Sequence, residues 1–126
     1  MLYLPSMSVT LDHMIVNVRS KLESATFLAE MLGLAPPVPA GRFLAVRLDN
    51  GLSLDFNEGG DVHPQHYAFE VSAAEFDSVL ARVHARKLPY WADPQQTRPG
   101  EVAQRDPGRA IYFSDPSGHW LEVLTK

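Results

Sequence analysis

A fifteen-residue stretch that occurs twice constrains this chain more than any other feature. Residues 42–56 read RFLAVRLDNGLSLDF and residues 109–123 read RAIYFSDPSGHWLEV, and the two align without a gap. Arg42 falls on Arg109, Gly51 on Gly118 and Asp55 on Glu122, each pair 67 positions apart. In the second copy, Asp115, Pro116, Ser117 and Gly118 supply turn chemistry between two alternating runs, which predicts a hairpin. Leu121 and Val123 then share one face of the outgoing strand, while Trp120, Glu122 and Leu124 share the other. Glu122 is thereby placed among large apolar neighbours on a covered face. A buried lone carboxylate is costly, so it should find a cation, a hydrogen-bonding cluster or a metal ion.

The residues ahead of each hairpin repeat as well. Residues 11–18, LDHMIVNV, alternate as a strand with Leu11, His13, Ile15 and Asn17 on one face; residues 66–71, HYAFEV, form its counterpart, with His66 where His13 stood. Ser20 with Glu23, and Ser72 with Glu75, are capping-box signatures. A helix is expected from Ser20 to the Gly33 stop, and a second from about Ala73 to Arg86. The segment 35–41, APPVPAG, reads as a break. Residues 88–92, LPYWA, read as a short strand, and 93–108 as a long loop of the kind that is often functional. The order is strand, helix, strands, twice over. The expectation is an α+β fold of two tandem βαβββ modules, residues 9–60 and 64–126 of a single domain 1–126, related by a pseudo-twofold axis. If the halves, or two chains, share one curved sheet, His13, Asp55, His66 and Glu122 come together around a central cleft.

Composition narrows the partners. At 126 residues the chain has the length of one domain with one core. A formal net charge of −4 gives no electrostatic reason for nucleic acid or an anionic membrane. Cysteine is absent, excluding disulfide and thiolate chemistry, and no apolar run approaches the ~20 residues of a membrane helix. The first residues, MLYLPSMSV, lack the basic start of a secretory signal, so the expected location is cytoplasmic. Residues up to about Ser8 read as a frayed tail, with Met7 an alternative start.

With these elements in place, LDHMIVNV, HYAFEV and YFSDPSGHWLEV closely resemble the three signature strands of the vicinal oxygen chelate superfamily, the glyoxalase, bleomycin-resistance and extradiol-dioxygenase group. The resemblance covers nearly the whole chain from Leu11. It implies paired βαβββ modules curved around a metal, with His13, His66 and Glu122 as ligands of a divalent ion such as Fe, Mn, Ni or Zn. Two imidazoles and one carboxylate leave positions open for a substrate to chelate through neighbouring oxygens. Metal-dependent glyoxalases of the group carry Glu or Gln near position 55; Asp55, one methylene shorter, fits a general base or an outer partner of the ion. Small members often exchange modules between two chains, so a homodimer is implied.

Taken singly, His13 and His66 would more often be core histidines; equivalent places in a repeat, together with Glu122, favour ligation. His119 lies in the turn and is expected to be solvated, while His63 in a loop and His84 on a polar helix are not expected as ligands. Tyr67, Tyr90, Trp91, Tyr112 and Trp120 would ordinarily be core aromatics, of which Trp91 and Tyr112 are candidates for lining an organic pocket. Arg109 is a candidate for holding an anionic substrate, although its repeat partner Arg42 equally suggests a structural ion pair. The functional expectation is a metalloenzyme acting on a small oxygen-rich organic molecule by lyase, isomerase or dioxygenase chemistry, with Glu122 and Asp55 as catalytic groups. The rival is a metal-free cleft that sequesters its ligand.

Overall fold

The computed structural model describes residues 8–126, so the expected tail and the alternative start at Met7 lie outside the described residues apart from Ser8. The first module runs β1 (His13–Val18), α1 (Lys21–Leu32), β2 (Val38–Ala40), β3 (Phe43–Arg47) and β4 (Ser53–Glu58). The second runs β5 (His66–Glu70), α2 (Ala73–Ala85), β6 (Ala103–Gln104), β7 (Arg109–Ser114) and β8 (Trp120–Leu124). Each module makes its own four-stranded mixed sheet, in the orders β1-β4-β3-β2 and β5-β8-β7-β6.

The repeat holds to the residue. Ala45 pairs with Asp55 across β3 and β4, and Tyr112 pairs with Glu122 across β7 and β8. His13 lies beside Ser53 in a parallel ladder, and His66 beside Trp120 in the equivalent one. Gly51 and Gly118 turn both hairpins with φ of 90° and 94°, which a side chain would resist.

Both helices begin as the sequence predicts. Ser20 accepts from the Glu23 N–H, and Ser72 from the Glu75 N–H, bonds worth about 1 kcal/mol each. Only α2 completes the reciprocal box, through a bond from the Ser72 N–H to Glu75 Oε1. In α1 the Lys21 N–H is satisfied from across the module by Glu58 Oε1. Gly33, at φ 67°, ends α1 with its N–H on the carbonyls of Ala29 and Glu30.

Three local expectations are corrected. The segment 35–41 contains β2, a three-residue edge strand whose Pro39 needs no ladder donor on its outer side. LPYWA is not a strand: Trp91 alone bridges, to Tyr112 and to Pro99. The loop 93–108 contains β6, which is too short to show periodicity.

One continuous core holds the modules together. It joins Val16, Val18, Leu54 and Phe56 of the first sheet to Ile111, Phe113, Leu121 and Val123 of the second, with Phe27, Met31 and Phe76 from the helices between. The sheets therefore share their inner faces, each module keeping its own mixed sheet in the expected α+β fold. Because side chains alternate across a strand, His13, Asp55, His66 and Glu122 all stand on outer faces.

A polar seam locks this arrangement. The Arg19 N–H donates to Ser117 Oγ at 2.9 Å, the Ser24 and Ser117 hydroxyls are 3.1 Å apart, and the Arg19 guanidinium donates to the Pro116 carbonyl. His119, expected to be solvated, is only 2% exposed. Its Nδ1 accepts from the Gln65 N–H at 3.1 Å, so Nε2 carries the proton and donates to the Asn17 carbonyl at 2.7 Å. Asp115, also buried, accepts from the Ser117 and His119 N–H groups. The second hairpin turn thus docks on the end of β1.

Gly108 tests the packing under the site. It has φ 98°, and a Cβ there would stand 2.1 Å from the Thr125 carbonyl oxygen. Gly108→Ala is expected to cost more than ~2 kcal/mol of unfolding free energy, measured by urea titration, because neither backbone can yield cheaply.

Candidate functional site

The outer face of the second sheet carries a connected polar and aromatic cluster. Glu122, on the central strand β8, is 7% exposed. His66 on the neighbouring β5 reaches it diagonally, with Nε2 3.0 Å from Glu122 Oε1. From the other side Arg105, just after β6, donates from Nη2 to Glu122 Oε2 at 3.2 Å and to the Tyr112 hydroxyl at 2.9 Å. Burial, reinforced by the Glu122 charge, pushes the Tyr112 phenol above its ordinary pKa.

Aromatic rings wall this cluster. Trp120 lies 5.3 Å from Trp91 and 6.4 Å from Tyr112, nearly parallel to the latter, and the His66 ring meets Tyr112 edge-on at 5.8 Å. The Trp120 Nε1–H is buried with no hydrogen-bond partner among the described residues. A cleft of about 1290 Å³ opens past His66 and Arg105, between β5 and the β3–β4 turn, where Leu48 and Leu52 line it.

The first sheet presents the matching half. His13 is exposed, and its Nδ1 meets Asp12 Oδ2 at 2.8 Å, leaving Nε2 without a partner among the described residues. That hydrogen bond, with smaller help from the charges of Asp12 and Asp55, raises the imidazole pKa against a modest opposing effect of burial. Asp55 stands one strand away and accepts from Ser53 Oγ at 2.7 Å. The row Ile15, Asp55, Ala45, Val38 crosses this face, with Ile15 49% and Val38 59% exposed.

The structure thus brings together His66, Glu122, Tyr112 and Trp91 on one sheet, and His13 with Asp55 on the other. Among the described residues no three histidine, aspartate or glutamate side chains converge within the chain, because the shared core turns the two outer faces apart. Arg109 lines the cleft but stands apart from the Glu122 cluster. It lies on the helix side of β7, paired with Asp77 at 3.0 Å and stacked 4.3 Å over Phe76. The alternation of β7 carries the signal, since Arg109 and Tyr112 have opposite parity. Arg105 is the polar residue the sequence reading missed; it lay unpatterned in a presumed loop.

Among the described residues, no helix is long and apolar enough to cross a membrane. No family model matches the chain. It is 29% identical over 122 aligned residues to the glutathione transferase FosA of Serratia marcescens, covering 90% of this chain and 79% of that protein. Among solved structures it resembles oxidase ChaP-H1, at 52% identity and a TM-score of 0.92, covering 94% of this chain and 97% of that one. Oxidase ChaP-H2 is 48% identical with a TM-score of 0.91, covering 95% of each chain. The fosfomycin resistance protein FosX of Mesorhizobium loti shares the fold at 25% identity and a TM-score of 0.68, covering 93% of this chain and 92% of that one. With its two βαβββ modules and these relatives, the chain belongs to the vicinal oxygen chelate superfamily.

Proposed function

We propose that this protein is a metal-dependent enzyme that works as a homodimer, with His66 and Glu122 of one copy and His13 of a second copy holding one divalent ion of Fe, Mn, Ni or Zn. The observation that carries the reading is the 3.0 Å approach of His66 Nε2 to Glu122 Oε1. Two ligands of one ion at about 2.1 Å and a right angle stand about 3 Å apart, so these atoms already have the spacing of neighbouring ligands. Their chemistry suits a borderline divalent cation. His13 fits the third place because Asp12 fixes its Nδ1 and turns Nε2 outward, the arrangement that orients ligating imidazoles.

The second copy answers several features at once. Edge strands β1 and β5 are each paired on one side only, Leu11 and Ile15 expose apolar surface beside His13, and Val38 does so at the far edge of the same sheet. Covering the first sheet's outer face with the second sheet's outer face of another copy buries that surface and completes the ligand set. A twofold dimer makes two such sites.

The bound ion would supply Lewis acidity for a substrate chelated through neighbouring oxygens, or a place for dioxygen. The chain's own residues do the rest. Trp91, Trp120 and Tyr112 hold an unsaturated or aromatic part of the substrate against their faces. The unsatisfied Trp120 N–H favours a ligand or partner oxygen nearby. Asp55, accessible and next to the His13 strand, acts as general base for a substrate proton. The relative at 52% identity is named an oxidase, which supports oxidative chemistry over lyase or isomerase chemistry.

The test is elemental analysis of untagged protein after incubation with each ion. The expectation is about one equivalent per chain, the count a twofold dimer with two sites requires. Ligand binding that survives chelation, with no metal retained, would instead indicate sequestration without chemistry.

A further inference from the structure

Glu122 is gripped from two sides, and the second grip belongs to a residue outside the ligand set. Nη2 of Arg105 donates to Glu122 Oε2 at 3.2 Å and to the Tyr112 hydroxyl at 2.9 Å. A guanidinium nitrogen of this kind carries two hydrogens, so one atom orders both groups. The anchor is firm behind it. The Arg105 N–H donates to the Gly108 carbonyl at 2.8 Å, closing a tight return that presses Gly108 against Thr125. The backbone is therefore fixed while the guanidinium, 41% exposed, lies over the site's rim.

We propose that Arg105 is a positioning residue that keeps Glu122 a one-oxygen ligand, occupying Oε2 so that only Oε1, beside His66, is offered to the ion. A carboxylate can bind a cation through one oxygen or two. Holding the second oxygen in a charge-assisted bond fixes the carboxylate plane and leaves one more coordination position for substrate. The same contact sets the Tyr112 hydroxyl beside Glu122. This inference rests on the metal reading above.

The test uses the full chain loaded with cobalt(II), whose visible absorption weakens as coordination number rises. Arg105→Gln is expected to keep the metal but with a weaker, shifted spectrum, as the freed oxygen joins the ion, and with about tenfold weaker retention against a chelator. Arg105→Lys, which returns a cation that can reach one oxygen, moves the spectrum back toward the parent. Tyr112→Phe removes the other partner and leaves the spectrum parent-like. Arg105→Gln with parental spectrum and retention would overturn the inference, as would Tyr112→Phe reproducing the Arg105→Gln change. A parent that takes up no cobalt would sink the metal reading itself, a failure distinguishable from the other two.

Discussion

His66→Ala is expected to strip the protein of its metal while leaving the fold intact. On the proposed ligand set, the substitution removes one of the two ligands that one chain gives to a site, and leaves Glu122 Oε1 without its imidazole neighbour. Loss of an outer partner of a ligand typically weakens binding by about 10–100-fold, and loss of a ligand should exceed that range. The imidazole is nearly half exposed and rests on the outer face of edge strand β5, and Glu122 keeps Arg105 as a partner, so the lost bond should cost about 1–2 kcal/mol and leave the fold intact. Elemental analysis and thermal unfolding of the same preparation read both quantities. A variant that holds metal as tightly as the parent would show that His66 is not a ligand.

Phe113→Ala is expected to do the reverse, costing about 3–5 kcal/mol of stability. Phe113 is fully buried, and its ring meets that of Phe27 edge-on at 6.2 Å. That contact ties the second sheet to the helix of the first module, so the cavity opens where the two halves meet. For a domain of this size the loss corresponds to a fall of roughly 10–25 °C in Tm. A change of less than about 1 kcal/mol by denaturant titration would mean that the core between the modules is not the close-packed layer described here.

The pseudo-symmetry was legible because it is written as an ungapped repeat, with Asp55 and Glu122 on matching strands and His13 and His66 on others. Strand parity also gave the faces correctly, which is why Glu122 was expected to be covered. Parity does not say what lies opposite a face. That the inner faces of both sheets meet in one core, sending His13 and His66 to separate surfaces, is decided by helix and sheet packing between Phe27, Phe76 and Phe113. His119 escaped for the same reason: its burial comes from docking the second hairpin on the Asn17 carbonyl 102 residues away, which no local pattern encodes. Arg105 escaped because the two-residue β6 that presents it has no period to read. Arg109 shares a face with Ile111 and Phe113 and not with Tyr112, so parity separates it from the Glu122 cluster while it still lines the cleft.

The central claim is that one ion is held by His66 and Glu122 of one copy and His13 of another, and mixed dimers test it most directly. His13→Ala and His66→Ala chains, each metal-free alone, are unfolded together, refolded as a mixture and loaded with metal. If sites form across a twofold interface, each mixed dimer regains one intact site, built from the His13 of one chain and the His66 of the other. Random pairing then restores about a quarter of an equivalent per chain. Metal content that stays at the background of the separate variants, with mixed dimers shown to be present, would contradict a site shared between copies.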